Sequence, residues 1–104
     1  MIKIERENES FTTLDGQKLY GIQDLIIWLY NCSDYDFKYH NDRKDFYNWI
    51  YYSLNERDLA EKIININNKI DLIKILDDFM KSLEIYNKKK ISDEEAEVEF
   101  IKYI

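Results

Sequence analysis

The sequence predicts an all-α fold: a compact bundle of about five helices with a short N-terminal hairpin or extended arm. Three observations carry this reading. Apolar residues recur three and four positions apart through most of the chain after Ile22. The 104 residues include no Pro and only 2 Gly, so regular structure meets few breakers. The one tight-turn signal, Asp15-Gly16, lies near the start. A chain of this length supports one core and one domain. Hydrophobic residues at 45% with charged residues at 35% mark it as globular rather than disordered. Residues 1–10 read as an arm, 11–87 as the helical domain, and 88–104 as a basic linker and acidic helix packed on the same domain.

Taken in order, Ile2 and Ile4 alternate within a polar stretch, which suits an arm or a short edge strand. Asp15-Gly16 follows Thr13-Leu14 and precedes Leu19, predicting a hairpin that Phe11, Leu14 and Leu19 pin to the core. The first helix spans 22–31. Ile22, Leu25, Ile26 and Leu29 form its apolar face, Gly21 caps it, and Trp28 flanks the stripe. Ser33, followed by Asp36, starts a short helical turn carrying Phe37 and Tyr39. The next helix spans 42–54, capped by Asn41 or Asp42, with Phe46, Trp49, Ile50 and Leu54 on one face. Asn55 caps a further helix through Leu59, Ala60, Ile63, Ile64 and Ile66, which the asparagines 65, 67 and 68 weaken. A helix over 70–87 follows, with Leu72, Leu76, Phe79 and Leu83 inside and Asp77–Lys81 as an i,i+4 pair. Ser92 and Glu95 form a capping box for a last, acidic helix.

The formal net charge is −6, which opposes nucleic acid at long range. A single cysteine, Cys32, forms no internal disulfide and points to a reducing, cytoplasmic setting. No apolar run approaches the roughly 20 residues needed to span a bilayer, and the charged N-terminus does not read as a signal peptide. The chain is expected to be neither secreted nor membrane-anchored. It has no glycine-rich phosphate loop, no C-x-x-C, no H-E-x-x-H and no G-x-S-x-G. Catalysis and a cofactor are therefore not expected.

Phe11…Asp15-Gly16…Leu25…Phe37…Tyr39-His40…Asp45-Phe46…Trp49-Ile50…Leu59-Ala60…Ile63 make up one spaced pattern. It resembles a family of small uncharacterised domains found mainly in archaea and bacteria. Their pattern reads F-x-L-x-D-G, an E/D-L helix, F-x-[YF]-H, D-F-x-x-W-[IV], then L-A. The likeness runs from about Phe11 to Ile64. It departs where Thr13 extends the F-x-L step and where Gly21 replaces a capping Ser. The resemblance implies a compact helical domain and assigns no activity.

Three constellations bear on function. His40 with Asp42 and Asp45 has the residue types of a metal site or a general base. The same residues also serve as a helix start, with an Asp cap and a hydrogen-bonded His. Lys38, Tyr39, Arg43, Lys44, Tyr47 and Tyr51 interleave cations with aromatics, as single-strand nucleic-acid binders do. Arg43, Tyr47 and Tyr51 share one face if the helix is regular, and Tyr and Arg dominate protein-binding hot spots. Phe46, Trp49 and Trp28 read as core, and Cys32 as a small buried hydrophobe. The expected role is a protein-interaction or regulatory module contacting an unknown protein partner through Tyr39, His40, Arg43, Tyr47 and Tyr51. The alternatives are nucleic-acid or ribosome association and a metal at His40.

Overall fold

The computed structural model describes residues 9–84. Apart from Glu9 and Ser10, the expected arm lies outside them, as do the linker and acidic helix of 88–104. Strands β1 (Phe11–Thr12) and β2 (Lys18–Leu19) pair antiparallel, with Phe11 opposite Leu19. Gly16 takes φ +87°, a left-handed conformation that suits glycine. The Gly16 N–H donates to the Thr13 carbonyl at 2.9 Å, and the Thr13 N–H donates to the Gln17 carbonyl at 2.8 Å. This is the three-residue hairpin loop with a bulge at its left-handed residue. Phe11 and Leu19 anchor it in the core as expected. Leu14 does not: its side chain is 43% exposed at the loop tip. The anchor at that position is its backbone.

Helix α1 (Ile22–Asn31) starts at Gly21 and buries Ile22, Leu25, Ile26, Trp28 and Leu29. The Asp24 carboxylate reaches back to accept the Tyr20 N–H at 2.9 Å. Ser33 then caps α2 (Asp34–Asp42), its hydroxyl accepting the Asp36 N–H at 3.1 Å. The expected short turn is thus a full helix, because Phe37 and His40 bury one continuous face of it.

The chain breaks at Arg43-Lys44, not before Asp42. Asn41 and Asp42 end α2 instead of capping its successor, and α3 (Asp45–Asn48) has no side-chain cap. Lys44 adopts φ 62°, which costs a non-glycine residue about 1–2 kcal/mol. Tertiary bonds offset this. Lys44 Nζ donates to the Ile64 carbonyl at 2.6 Å, and Asn41 Nδ2 to the Ile66 carbonyl at 2.8 Å. Both acceptors lie just beyond α4 (Arg57–Ile63), where a helix leaves carbonyls unpaired and favours a cation.

Helix α3 widens into a π-helical turn over Trp49–Ser53. Leu54 N–H bonds the Trp49 carbonyl and Glu56 N–H the Ile50 carbonyl, at 3.0 and 2.9 Å. Asn55, expected as an N-cap, takes φ 57° and terminates this turn. The N-cap of α4 is Glu56, with no side-chain bond. Asn68 starts helix α5, which covers 69–84. Its side chain accepts the Asp71 N–H at 2.8 Å and donates to the Asp71 carboxylate at 2.7 Å. The Asp77–Lys81 pair forms at 3.1 Å, as expected. Leu72 and Leu76 complete the core, in which Phe46, Ile22, Leu25, Leu29 and Ile50 are also fully buried. The fold is all-α with a short hairpin.

Candidate functional site

Contacts from the hairpin, α1 and α3 converge on His40. Helix α2 turns its imidazole inward, and the residue is only 4% exposed. Phe11, Trp28, Tyr39 and Phe46 surround the ring at centroid distances of 5.0, 5.7, 5.0 and 5.6 Å. The Leu14 N–H points at Nε2 from 2.9 Å, and the Asp45 carboxylate lies 3.0 Å from Nδ1. A backbone N–H only donates, so Nε2 is the acceptor and the neutral ring carries its proton on Nδ1, facing Asp45. Both nitrogens are engaged inside the protein. A metal would have to displace one of these bonds to gain a lone pair.

The Asp45 oxygen that meets His40 also accepts the Arg43 Nε–H at 3.0 Å. A second guanidinium nitrogen of Arg43 donates to the Tyr39 hydroxyl at 3.0 Å. Asp42 points elsewhere and pairs with Lys38 at 3.6 Å on the surface. Among the described residues no three His, Cys, Asp or Glu side chains are grouped to hold a metal ion.

The hairpin is tied down a second way. Asp15 accepts hydrogen bonds from the Thr13 hydroxyl, from Trp28 Nε1 at 3.1 Å and from Gln17 Nε2 at 2.9 Å. The Thr13 hydroxyl does most to lower the Asp15 pKa, against some desolvation, with Trp28 and Gln17 adding to it. A lowered folded pKa means the ionised carboxylate stabilises the hairpin above its unfolded value and loses that contribution as pH falls through the folded one. Wild type should therefore lose more thermal stability than Asp15→Asn between about pH 5 and about pH 3. Melts of both proteins followed by tryptophan fluorescence check this, and equal losses would contradict it.

Tyr47 and Tyr51 lie apart from this cluster. The break at Lys44 removes Arg43 from their helix, so the three do not form one face. Tyr47 stacks obliquely on Tyr51 at 5.5 Å, and Tyr51 on Tyr52 at 4.7 Å. Helix α4 flanks them: Arg57 sits 5.2 Å over the Tyr51 ring, and the Tyr47 hydroxyl lies 3.4 Å from Glu61. Arg57 and Glu61 are one turn apart, matching Tyr51 and Tyr47. Desolvation, then the Glu61 charge, raise the Tyr47 pKa, keeping its phenol a donor. Tyr52 is 73% exposed. Sequence periodicity misses Tyr52 and Arg57 because the π-helical turn re-phases the helix. The available signal was the Tyr51-Tyr52 pair shortly before Asn55.

Cys32 is half-buried, and desolvation raises its pKa, so it remains a thiol. Its carbonyl accepts Lys69 Nζ at 2.9 Å. No described helix is long and apolar enough to cross a membrane. No protein-family model, curated protein or solved structure matches this chain.

Proposed function

We propose that the protein is a small interaction or regulatory module without catalysis, which docks a protein partner through Tyr47, Tyr51, Tyr52 and Arg57. The observation carrying this is the tyrosine series itself. Three adjoining phenol rings and a guanidinium are gathered at a π-helical turn, a feature frequent at functional sites. Tyr and Arg are the residue types that dominate interface energetics. The other expected contacts, Tyr39, His40 and Arg43, are occupied with each other, with Asp45 and with Leu14. Their contacts stabilise the fold.

The same bookkeeping favours a protein over a nucleic acid. Lys38 pairs with Asp42, Arg43 with Asp45, and Lys44 with the Ile64 carbonyl. The cations expected to meet phosphates thus already have acceptors, and the net charge is −6. A cytoplasmic setting suits the lone Cys32. The family pattern noted above reads as a fold signature, since Phe11, Phe37, His40, Phe46 and Trp49 are all buried.

Capture from native lysate tests the face. Tyr52→Ser/Arg57→Ala should lose partners that wild type retains. Tyr35→Ser, at an equally exposed tyrosine on α2, should keep them. An unchanged partner list in the double variant would remove this face from consideration.

A further inference from the structure

We infer that the hairpin tip is a proton-operated latch, held shut by neutral His40 and released when the ring protonates. The Leu14 N–H donates to Nε2 at 2.9 Å, and Nδ1 faces the Asp45 carboxylate at 3.0 Å. An added proton therefore has one place to go, the accepting Nε2. An imidazolium donates from both nitrogens. At Nδ1 the bond to Asp45 survives and becomes charge-assisted. At Nε2 one N–H is set against another, so the ring and the Leu14 amide have to part.

How each partner is held decides which one moves. His40 is 4% exposed, tied to Asp45 and packed by Phe11 of the hairpin, Trp28 of α1 and Phe46 of α3. Leu14 sits at the loop tip with its side chain 43% exposed, so its amide passes to water with little loss. Phe11 and Leu19 stay buried beneath it, and Asp15 stays bonded to Trp28 Nε1. Opening is thus confined to the loop backbone at Leu14. The charged and titratable groups close to the ring come from three elements. Asp45 belongs to α3, Tyr39 and Arg43 to the end of α2, and Asp15 to the hairpin, where it binds Trp28 and Gln17. Helix α1 contributes Trp28, which carries no charge. Of these groups Asp45 alone is bonded to the imidazole, and at the other nitrogen. Because Nε2 takes its proton only when the tip is open, falling pH favours opening, by about tenfold per pH unit once the ring titrates.

The test follows two signals on the ¹⁵N-labelled chain from about pH 8 to about pH 5, the span in which imidazoles change charge. These are the ring-nitrogen shifts of His40 and the exchange of the Leu14 amide, corrected for its intrinsic pH dependence. Nε2 should pass from the unprotonated to the protonated range, and Leu14 protection should fall with it by about tenfold or more. Protection at Leu72 and Leu76, in the core of α5, should hold. His40→Gln offers the Leu14 amide a carbonyl oxygen that does not titrate, so there the fall should vanish. Asp15→Asn should keep the fall, which separates the ring from the hairpin carboxylate. A ring that stays neutral across this span, a Leu14 amide still protected once the ring is charged, or a matching loss at Leu72 and Leu76 would each overturn the inference. So would a full-sized fall in His40→Gln or none in Asp15→Asn. If His40→Gln does not fold, the ring and amide signals of wild type decide alone.

Discussion

Phe46→Ala should lower the unfolding free energy by about 3–5 kcal/mol in urea denaturation, without changing the denaturant slope. Phe46 is 1% exposed, and aromatic rings from the hairpin, α1 and α2 pack around it. Phe11 of the hairpin stacks on it at 5.5 Å, Phe37 of α2 at 6.1 Å, and Trp28 of α1 lies at 6.1 Å. His40 lies 5.6 Å away on another side. Truncation removes the ring's transfer energy and opens a cavity that these rigid neighbours cannot collapse to fill. Small domains have about 5–15 kcal/mol in total, so the loss is a large fraction of the whole. Phe46→Leu should retain part of the contacts and lose less. Ile27→Ala, at a side chain 53% exposed, should fall within about 0.5 kcal/mol of wild type. A loss below about 1 kcal/mol in Phe46→Ala would mean that this cluster is not the centre of the core.

The apolar periodicity made Phe46 legible before any coordinates. Ile22, Leu25 and Leu29, then Phe46, Trp49 and Ile50, then Leu72 and Leu76, are spaced for one buried helical face each, and each is buried. Ser33 and Asp15-Gly16 were legible because their effects are local: a hydroxyl three residues from an amide, and a glycine that takes positive φ. The break at Arg43-Lys44 was not legible, because neither residue carries a turn signal. What holds Lys44 left-handed is the Ile64 carbonyl, 20 residues further on. Trp49 donates to the Glu9 carbonyl across 40 residues, and Leu14 to His40 across 26. Such pairings leave no mark at fixed spacing. A helix regular through position 43 lines up Arg43, Tyr47 and Tyr51 and turns Tyr52 to another side. The grouping of Tyr47 with Tyr51 was therefore legible, and the separation of Arg43 from them was not.

The second large effect falls on His40, and it separates a structural histidine from a ligand. His40→Ala should cost about 2–4 kcal/mol, the sum of a cavity beside Phe11, Trp28 and Phe46 and an abandoned Leu14 amide. His40→Leu fills most of that volume yet makes neither hydrogen bond. It should recover the cavity part and still lose about 1–3 kcal/mol for the unpaired donor. The loss should be uneven across the molecule. Leu14 is exposed at the loop tip, so once its amide is released the hairpin turn opens before the helices do. Hydrogen exchange at the Leu14 amide should accelerate more than exchange at Leu72 or Leu76 in both variants. A histidine recruited for a metal behaves otherwise. Its replacement abolishes a stabilisation by added divalent cation that wild type shows. With Nε2 accepting from Leu14 and Nδ1 donating to Asp45, wild type and His40→Ala should respond equally to zinc and to chelator in a thermal-shift assay. A zinc-induced rise confined to wild type would overturn this assignment of the ring nitrogens, because the metal can bind only where one of those two bonds is absent.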